Sequence, residues 1–256
     1  MWSGLVELVY PPRCVGCGES GALFCASCQR GLVPLAPPLC ARCGGSRAST
    51  GPPPDASSCC LACLRHPPGF EAARSVAVYE GPIRAAIQAL KYRRRRALAE
   101  PLGGLLATQG AGDPALRATC VVPVPLHPSR LAARGFNQAD LLARPVAVRL
   151  GLPCVPDALR RIRQESPQAE SDAVSRRTNV LRAFAPGPAR PWGTVLLVDD
   201  VFSTGSTVSA CADVLLEAGA SRVVVLTLAR AVLRCLSQAA REGCPRKGPR
   251  PRERQG

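Results

Sequence analysis

Two adjacent carboxylates, Asp199 and Asp200, are followed by Val201, Phe202 and a run of hydroxyls around one glycine, Ser203, Thr204, Gly205, Ser206 and Thr207. Carboxylates hold sugar hydroxyls or magnesium, and small residues at the start of a helix leave free backbone N–H groups and hydroxyls that hold an anion. With the acids first and the anion cradle second, the order suits a sugar phosphate. A P-loop needs G-x-x-x-x-G-K-[ST], and this loop has no lysine; the dinucleotide pattern G-x-G-x-x-G is also missing. An ordinary strand-to-helix turn capped by Asp needs one acid, not the whole string.

The elements around this stretch follow from its apolar pattern. Val195, Leu196, Leu197 and Val198 read as a strand buried on both faces, and two acids cannot sit in its middle, so the strand is expected to leave the sheet at Asp199. Val208, Cys211, Ala212, Leu215 and Ala218 recur at helical spacing. A second buried strand, Cys120 to Val122, runs into Pro123-Val-Pro125, which cannot continue a central ladder. Residues 74–80 predict a first strand. Gly81-Pro82 then opens a helix with Ile83, Ile87 and Leu90 on its apolar side, continuing into Lys91-Tyr92 and Arg93 to Arg96. The Arg93–Arg96 run reads as a nucleic-acid patch, a phosphate-binding element or a solvated helix end. A helix over 137–150 should be kinked or reset by Pro145, and 152–163 predicts a strand or hairpin arm ending in Arg160, Arg161 and Arg163. A last strand runs from Arg222 to Leu228. This alternation predicts an α/β fold, a mainly parallel sheet with helices on both faces and ligands at the carboxyl ends of its strands. The loops 123–130 and 199–207 both leave such ends and can converge on one pocket.

Eight of the fourteen cysteines form four C-x-x-C pairs before residue 64: Cys14/Cys17, Cys25/Cys28, Cys40/Cys43 and Cys60/Cys63. So compact a run reads as zinc binding rather than a disulfide framework. Zinc takes four thiolates in a tetrahedron, so eight suffice for two structural zincs. The stretch has too few large apolar residues to hold itself together without metal. Cys59 beside Cys60 leaves one ligand ambiguous, and Cys60 restores the C-x-x-C spacing to Cys63. Which pairs share a metal stays open here: neighbouring pairs enclose only seven residues at the first site, so interleaved pairing is allowed. A redox role is the alternative for any single C-x-x-C, and four together argue against it.

A net charge of +15 favours polyanions, although its excess of arginine beside much Pro, Ala and Gly also reflects compositional bias. No run of 18 apolar residues occurs, and the first ten residues are too short and too acidic for a signal peptide. The expectation is a soluble cytoplasmic protein without a membrane span. Residues 44–58 read as a flexible insertion, and the expected division is a Cys-rich module over 1–68, a main domain over 69–232 and a disordered basic tail over 233–256.

The strand, two acids and hydroxyl loop resemble the signature by which type I phosphoribosyltransferases bind 5-phosphoribosyl-1-diphosphate (PRPP), with Ser203 where Thr is more frequent. Lys91-Tyr92, Pro123–Arg130, Arg134-Gly-Phe-Asn-Gln138, Arg177-Thr-Asn-Val180, Ala183-Phe184 and the 199–207 loop together resemble the ComF family. The resemblance spans residues 14 to about 230. It implies a double zinc ribbon before a type I phosphoribosyltransferase-like sheet, and PRPP bound with Mg2+. By this resemblance Asp199 and Asp200 act at the sugar, Val201 and Ser203–Thr207 hold the 5-phosphate end, and His127, Arg130 and Arg134 meet the diphosphate. His127 as a plain surface-loop residue and Asn137 as a plain helix cap are the alternatives. The polar stretch 164–172 falls where related transferases close a hood over the site, and Glu170 and Asp172 depart from the family pattern there. Two functions stand side by side: phosphoribosyl transfer to an unspecified acceptor, a glycosyltransferase reaction, or a non-catalytic nucleotide-sensing or docking module in DNA uptake. In the second, single-stranded DNA or a helicase-like partner is bound, and few aromatics for base stacking weigh against direct DNA binding. A homo-oligomer is left open.

Overall fold

The computed structural model describes residues 11–47, 59–163, 183–190 and 192–232. The 164–172 loop, the 177–180 segment, most of the insertion and the tail therefore lie outside the described residues. The cysteine-rich part contains two one-turn helices, α1 (Ala26–Arg30) and α2 (Leu61–Arg65). After β1 (Ala72–Val78) come α3 (Gly81–Tyr92), α4 (Ala99–Gly112), β2 (Cys120–Pro123), α5 (Pro128–Arg134) and α6 (Gln138–Leu150). Next are the short strands β3 (Leu159–Arg161) and β4 (Phe184–Pro186), then β5 (Thr194–Phe202), α7 (Ser206–Glu217) and β6 (Arg222–Arg230). Strands β1, β6, β5 and β2 lie side by side in that order, and each neighbouring pair is parallel. The 152–163 arm is a hairpin arm as expected, β3 pairing antiparallel with β4.

The two-residue period of the central strands sorts the core onto two faces. Leu196, Val198, Val224, Leu226 and Leu228 point to one face, where Ile83, Ile87, Leu90, Leu102, Leu106, Leu142 and Val146 of α3, α4 and α6 cover them. Val195, Leu197, Val223 and Val225 point to the other, under Val208, Cys211 and Leu215 of α7 and the hairpin residues Leu159 and Phe184. All four residues from Val195 to Val198 are inaccessible to water. At about 1.5–3 kcal/mol for each fully buried Val or Leu, this run anchors the sheet. The cysteine module divides the same way: Cys14, Phe24 and Cys28 pack into the first cluster, and Cys40, Cys43 and Cys63 into the second.

Three local expectations change. β5 does not leave the sheet at Asp199 but runs on to Phe202. Its partner β2 ends where Pro123 faces Val198, whereas β6 continues alongside, pairing Asp199 with Thr227 and Phe202 with Arg230. The acids thus lie beyond one neighbour and are still laddered to the other. Helix α3 stops at Tyr92, since Arg94 turns into the left-handed region (φ 52°) and the chain tightens into a 3-10 turn that buries Leu98. Pro145 does not reset the start of α6, which runs from Gln138 with the proline inside it, and its ring lies against Gly103 of α4, where any Cβ would collide with it. Among the described residues no helix is long and apolar enough to cross a membrane.

Candidate functional site

At the carboxyl ends of β2 and β5 a cleft of about 340 Å³ opens, and among its walls are Lys91, Arg130, Asp199, Asp200, Ser203 and Thr207. Val201 also lines it, as do Tyr79, Val124, Gln138 and Arg161. The strand pleat sends the two acids to opposite faces. Asp200 follows Leu196 and Val198 toward α3, where its carboxylate is ion-paired with the Lys91 ammonium; their side chains are 4% and 19% exposed. Asp199 follows Val195 and Leu197 toward α7, and its Oδ1 accepts the Asp200 N–H at 2.8 Å. Burial first, and the charge of Asp200 second, push the Asp199 carboxyl well above the usual carboxylate range, against the pull of that N–H and of Lys91. Burial alone would lower Lys91, but the negative charge of Asp200 outweighs it and raises the ammonium above its ordinary value. An ionised Asp199 therefore gains from any cation that enters the cleft.

The hydroxyl loop divides between two cavities. Ser203 and Thr207 face the cleft, whereas Thr204, Gly205 and Ser206 face a second cavity of about 420 Å³ toward Cys60, Cys63 and Phe70. Gly205, at φ +82°, forms the left-handed N-cap of α7, and the Thr204 and Ser206 hydroxyls bond each other at 2.8 Å. Of the three residues expected at a diphosphate, Arg130 lines the cleft and the other two do not. His127 caps α5, its Nδ1 accepting the Ser129 N–H at 3.3 Å. Arg134 donates to Gln138 Oε1 and lies 5.5 Å from the Tyr92 ring centroid. Asn137 caps α6 through the Ala139 N–H and also donates to the Val124 carbonyl at 2.9 Å, which ties the α6 start to the cleft wall.

The cysteines gather in sequence order rather than interleaved. Cys14, Cys17, Cys25 and Cys28 form one group, Cys40, Cys43, Cys60 and Cys63 the other, and within each all sulfurs lie within 4.8 Å of one another. Cys60 rather than Cys59 completes the second group. Tetrahedral zinc at about 2.3 Å from each sulfur spaces the sulfurs about 3.8 Å apart. Cys14 and Cys28 are 3.6 Å apart, Cys17 and Cys25 3.6 Å, and Cys43 and Cys60 3.8 Å, so both groups fit the ion. Backbone amides aim at the sulfurs: Cys25 N–H to Cys14 at 3.4 Å, and Cys60 N–H to Cys40 at 3.2 Å. Burial raises the Cys14 and Cys40 thiols, but these and neighbouring amides prevail and bring each down to about 6, whereas burial and the neighbouring cysteines push Cys28 and Cys63 up, so each cluster needs a cation to hold four thiolates.

Residues 5–65 match the double zinc ribbon domain. Over 233 residues the chain is 34% identical to the DNA utilization protein YhgH of Salmonella typhi, the alignment covering 87% of this chain and 99% of that protein. It is 28% identical over 232 residues to competence protein F of Haemophilus influenzae, covering 86% of this chain and 97% of the relative. The chain belongs to the ComF family. Among solved structures it is similar to the orotate phosphoribosyltransferase of Aeropyrum pernix, at 20% identity over 59% of this chain and 66% of that one, with a TM-score of 0.33. Adenine phosphoribosyltransferase of Thermoanaerobacter pseudethanolicus aligns at 20% identity over 54% and 82% of the two chains, with a TM-score of 0.34. Similarity at that level carries no argument about chemistry.

Within this ComF chain, sequence reasoning assigned no role to four polar side chains of the cleft. Lys91 stood in the Lys91-Tyr92 pair and Gln138 at the end of Arg134-Gly-Phe-Asn-Gln138, so both carried a motif signal without a role. Arg161 was one of several arginines in the β3 arm. Tyr79 had no signal beyond its place at the end of a strand.

Proposed function

We propose that the cleft binds PRPP with magnesium and that this ComF protein transfers the phosphoribosyl group to an acceptor. One observation carries the reading: two strand-end acids, the hydroxyls of Ser203 and Thr207 and the guanidinium of Arg130 share one cleft at the carboxyl ends of parallel strands. In this reading the Ser203 and Thr207 hydroxyls and the loop amides, with the backbone at Val201, hold the 5-phosphate, while the Thr204 and Ser206 hydroxyls bond each other. Asp199 and Asp200 hold the ribose hydroxyls and stabilise the positive charge that develops at the sugar as pyrophosphate leaves. Arg130 neutralises the diphosphate, whereas Arg134 at the end of α5 and His127 at its N-cap lie outside the cleft lining. The Asp199 carboxylate in the cleft is a hard oxygen donor of the kind magnesium takes, and the ribose hydroxyls and diphosphate oxygens would complete its set, so the residues present fit the ion. When bound, the ion neutralises diphosphate charge and makes it a better leaving group. Catalysis is then positioning and electrostatic stabilisation, with no nucleophile from the protein.

A second reading rests on the Lys91–Asp200 pair. One of the two acids is already neutralised, which favours a site that holds a sugar phosphate without turnover, as a sensing or docking module in DNA uptake. The names of the relatives, DNA utilization and competence proteins, support that role. Calorimetric titration of the zinc-loaded chain with PRPP and magnesium, beside an Asp199→Asn/Asp200→Asn variant, tests both. Binding lost in the variant, with pyrophosphate released when nucleobases are added, supports transfer. Binding without release supports the second reading, and no binding to the folded wild type rejects the sugar-phosphate site.

A further inference from the structure

We propose that Arg230 is a positioning residue that couples the second four-cysteine site to the 203–207 loop, so that metal held by Cys40, Cys43, Cys60 and Cys63 orders the loop. Its bearing on ligand binding rests on the reading of that loop as the phosphate cradle, but the coupling itself does not. Arg230 ends β6, in register with Phe202 at the end of β5. Its Nη1 donates to the Cys43 carbonyl at 2.7 Å and its Nη2 to the Cys43 sulfur at 3.5 Å. The same guanidinium lies 4.3 Å from the centroid of the Phe202 ring. That ring abuts Gly205, where a Cβ would come within 2.6 Å of Phe202 Cζ. Room for the arginine is left by Gly45, where a Cβ would fall 2.8 Å from Nη2.

Cys43, Arg230, Phe202 and Gly205 thus form a contiguous line of contacts from a metal-binding knuckle to the N-cap of α7. Beside this line lies the cavity of about 420 Å³, and Cys40, Cys43 and Cys63 also share a core cluster with Phe202 and Val208, so the Arg230 variant is what separates this line from general packing. A separate tie, Gly69 N–H to Ser209 Oγ at 3.1 Å, reaches α7 beyond the loop. A metal-held Cys43 presents a fixed carbonyl and a charged sulfur, both strong acceptors for a guanidinium fork. Arg230 is then pinned over Phe202, whose ring also makes a T-shaped contact with Phe70 at 6.0 Å and 82°. Without the metal the fork loses its fixed acceptors and the ring its clamp. The first ribbon packs into the core on the opposite face, and among the described residues no such line of contacts joins it to the loop.

The test is hydrogen exchange of the 203–209 amides in the full zinc-loaded chain, comparing wild type, Arg230→Met, Cys60→Ala, their double variant and Cys17→Ala. Zinc content and melting curves confirm that each variant is folded. Arg230→Met, still carrying two zincs, and Cys60→Ala each speed exchange about tenfold, the worth of about 1.4 kcal/mol. The double variant exchanges no faster than either single one, and Cys17→Ala leaves the loop as in wild type. If Arg230→Met does not fold, Phe202→Leu replaces it: the Arg230–Cys43 bonds remain, and the loop still loses protection. Unchanged exchange in Arg230→Met, or additive effects of Arg230→Met and Cys60→Ala, overturns the proposal. PRPP titrations of the same samples separate the two readings. Coupling without PRPP binding removes the sugar-phosphate site alone, and PRPP binding without coupling removes the role of Arg230 alone.

Discussion

Replacing Lys91 by Met should cost far more than removal of a surface charge, because it strands Asp200, whose side chain is 4% exposed, beside a second, half-buried acid. Breaking a buried pair by deleting one partner costs about 3–5 kcal/mol, and water at the cleft mouth places this one near the lower end, about 3 kcal/mol. At about 2–4 °C per kcal/mol for a chain of this size, the melting temperature falls by roughly 6–12 °C at pH 7.5. The sign with pH follows from the shifts. Lys91 is raised in the folded state, so in wild type its stabilisation is complete below the unfolded lysine value of about 10.4 and is lost as pH rises through the folded value. In the variant the loss of Lys91 drives Asp199 still higher, so the deficit shrinks on acidification as Asp199 takes up a proton and ceases to repel Asp200. Melts of the zinc-loaded chain at pH 7.5 and pH 5 measure this, with Lys91→Met/Asp200→Asn closing the cycle. The double variant should recover most of the loss, a coupling of about 2 kcal/mol. A cost for Lys91→Met below about 1 kcal/mol, equal at both pH values, would match a solvated pair and refute the reasoning.

Asp199→Asn works in the opposite direction. Its carboxyl is raised by burial and then by Asp200, so it contributes stability below the unfolded value of about 3.9 and loses it as pH rises through the folded value. The asparagine variant should melt higher than wild type at pH 7 and lose that part of the pH slope, while PRPP–magnesium affinity falls by about tenfold or more, the worth of a charge-assisted contact. Melts across pH and calorimetry read the two effects separately. For the metal sites, Cys59→Ser should retain two zincs per chain by elemental analysis and Cys60→Ser one, since only Cys60 belongs to the second sulfur group.

What the sequence revealed was local or periodic. The run from Val195 to Val198 announced the central strand because burial on both faces leaves no polar position in it. The C-x-x-C spacing announced two metal sites because each pair is a single tight turn. The pairing of those turns was not legible, since it depends on which knuckles fold against each other over the Cys40–Cys63 span. The course of β5 past Asp199 depends on β6 remaining alongside and on Lys91, 109 positions before Asp200 in the chain, neutralising the acid. The cap roles of His127 and Asn137 are local, but choosing between cap and ligand required knowing which way α5 and α6 leave the cleft.

The adjacency of the acids has its own physical consequence. In a strand, neighbours in sequence are not neighbours in environment, because the pleat assigns them to different faces. Asp200 falls on the face of α3 and finds a lysine there, whereas Asp199 falls on the face of α7, where the thiol of Cys211 feels its charge. The protein therefore compensates one charge internally and leaves the other short of a counter-ion, with its proton affinity raised. A cation brought by the ligand, or the charge developing on a sugar as its leaving group departs, relieves Asp199 far more than Asp200. For this reason the two single variants should separate: Asp200→Asn should release Lys91 and disturb stability, whereas Asp199→Asn should spare the fold and cut into ligand binding. Equal effects of both on PRPP affinity, with no difference in stability, would mean that the pleat does not divide their work.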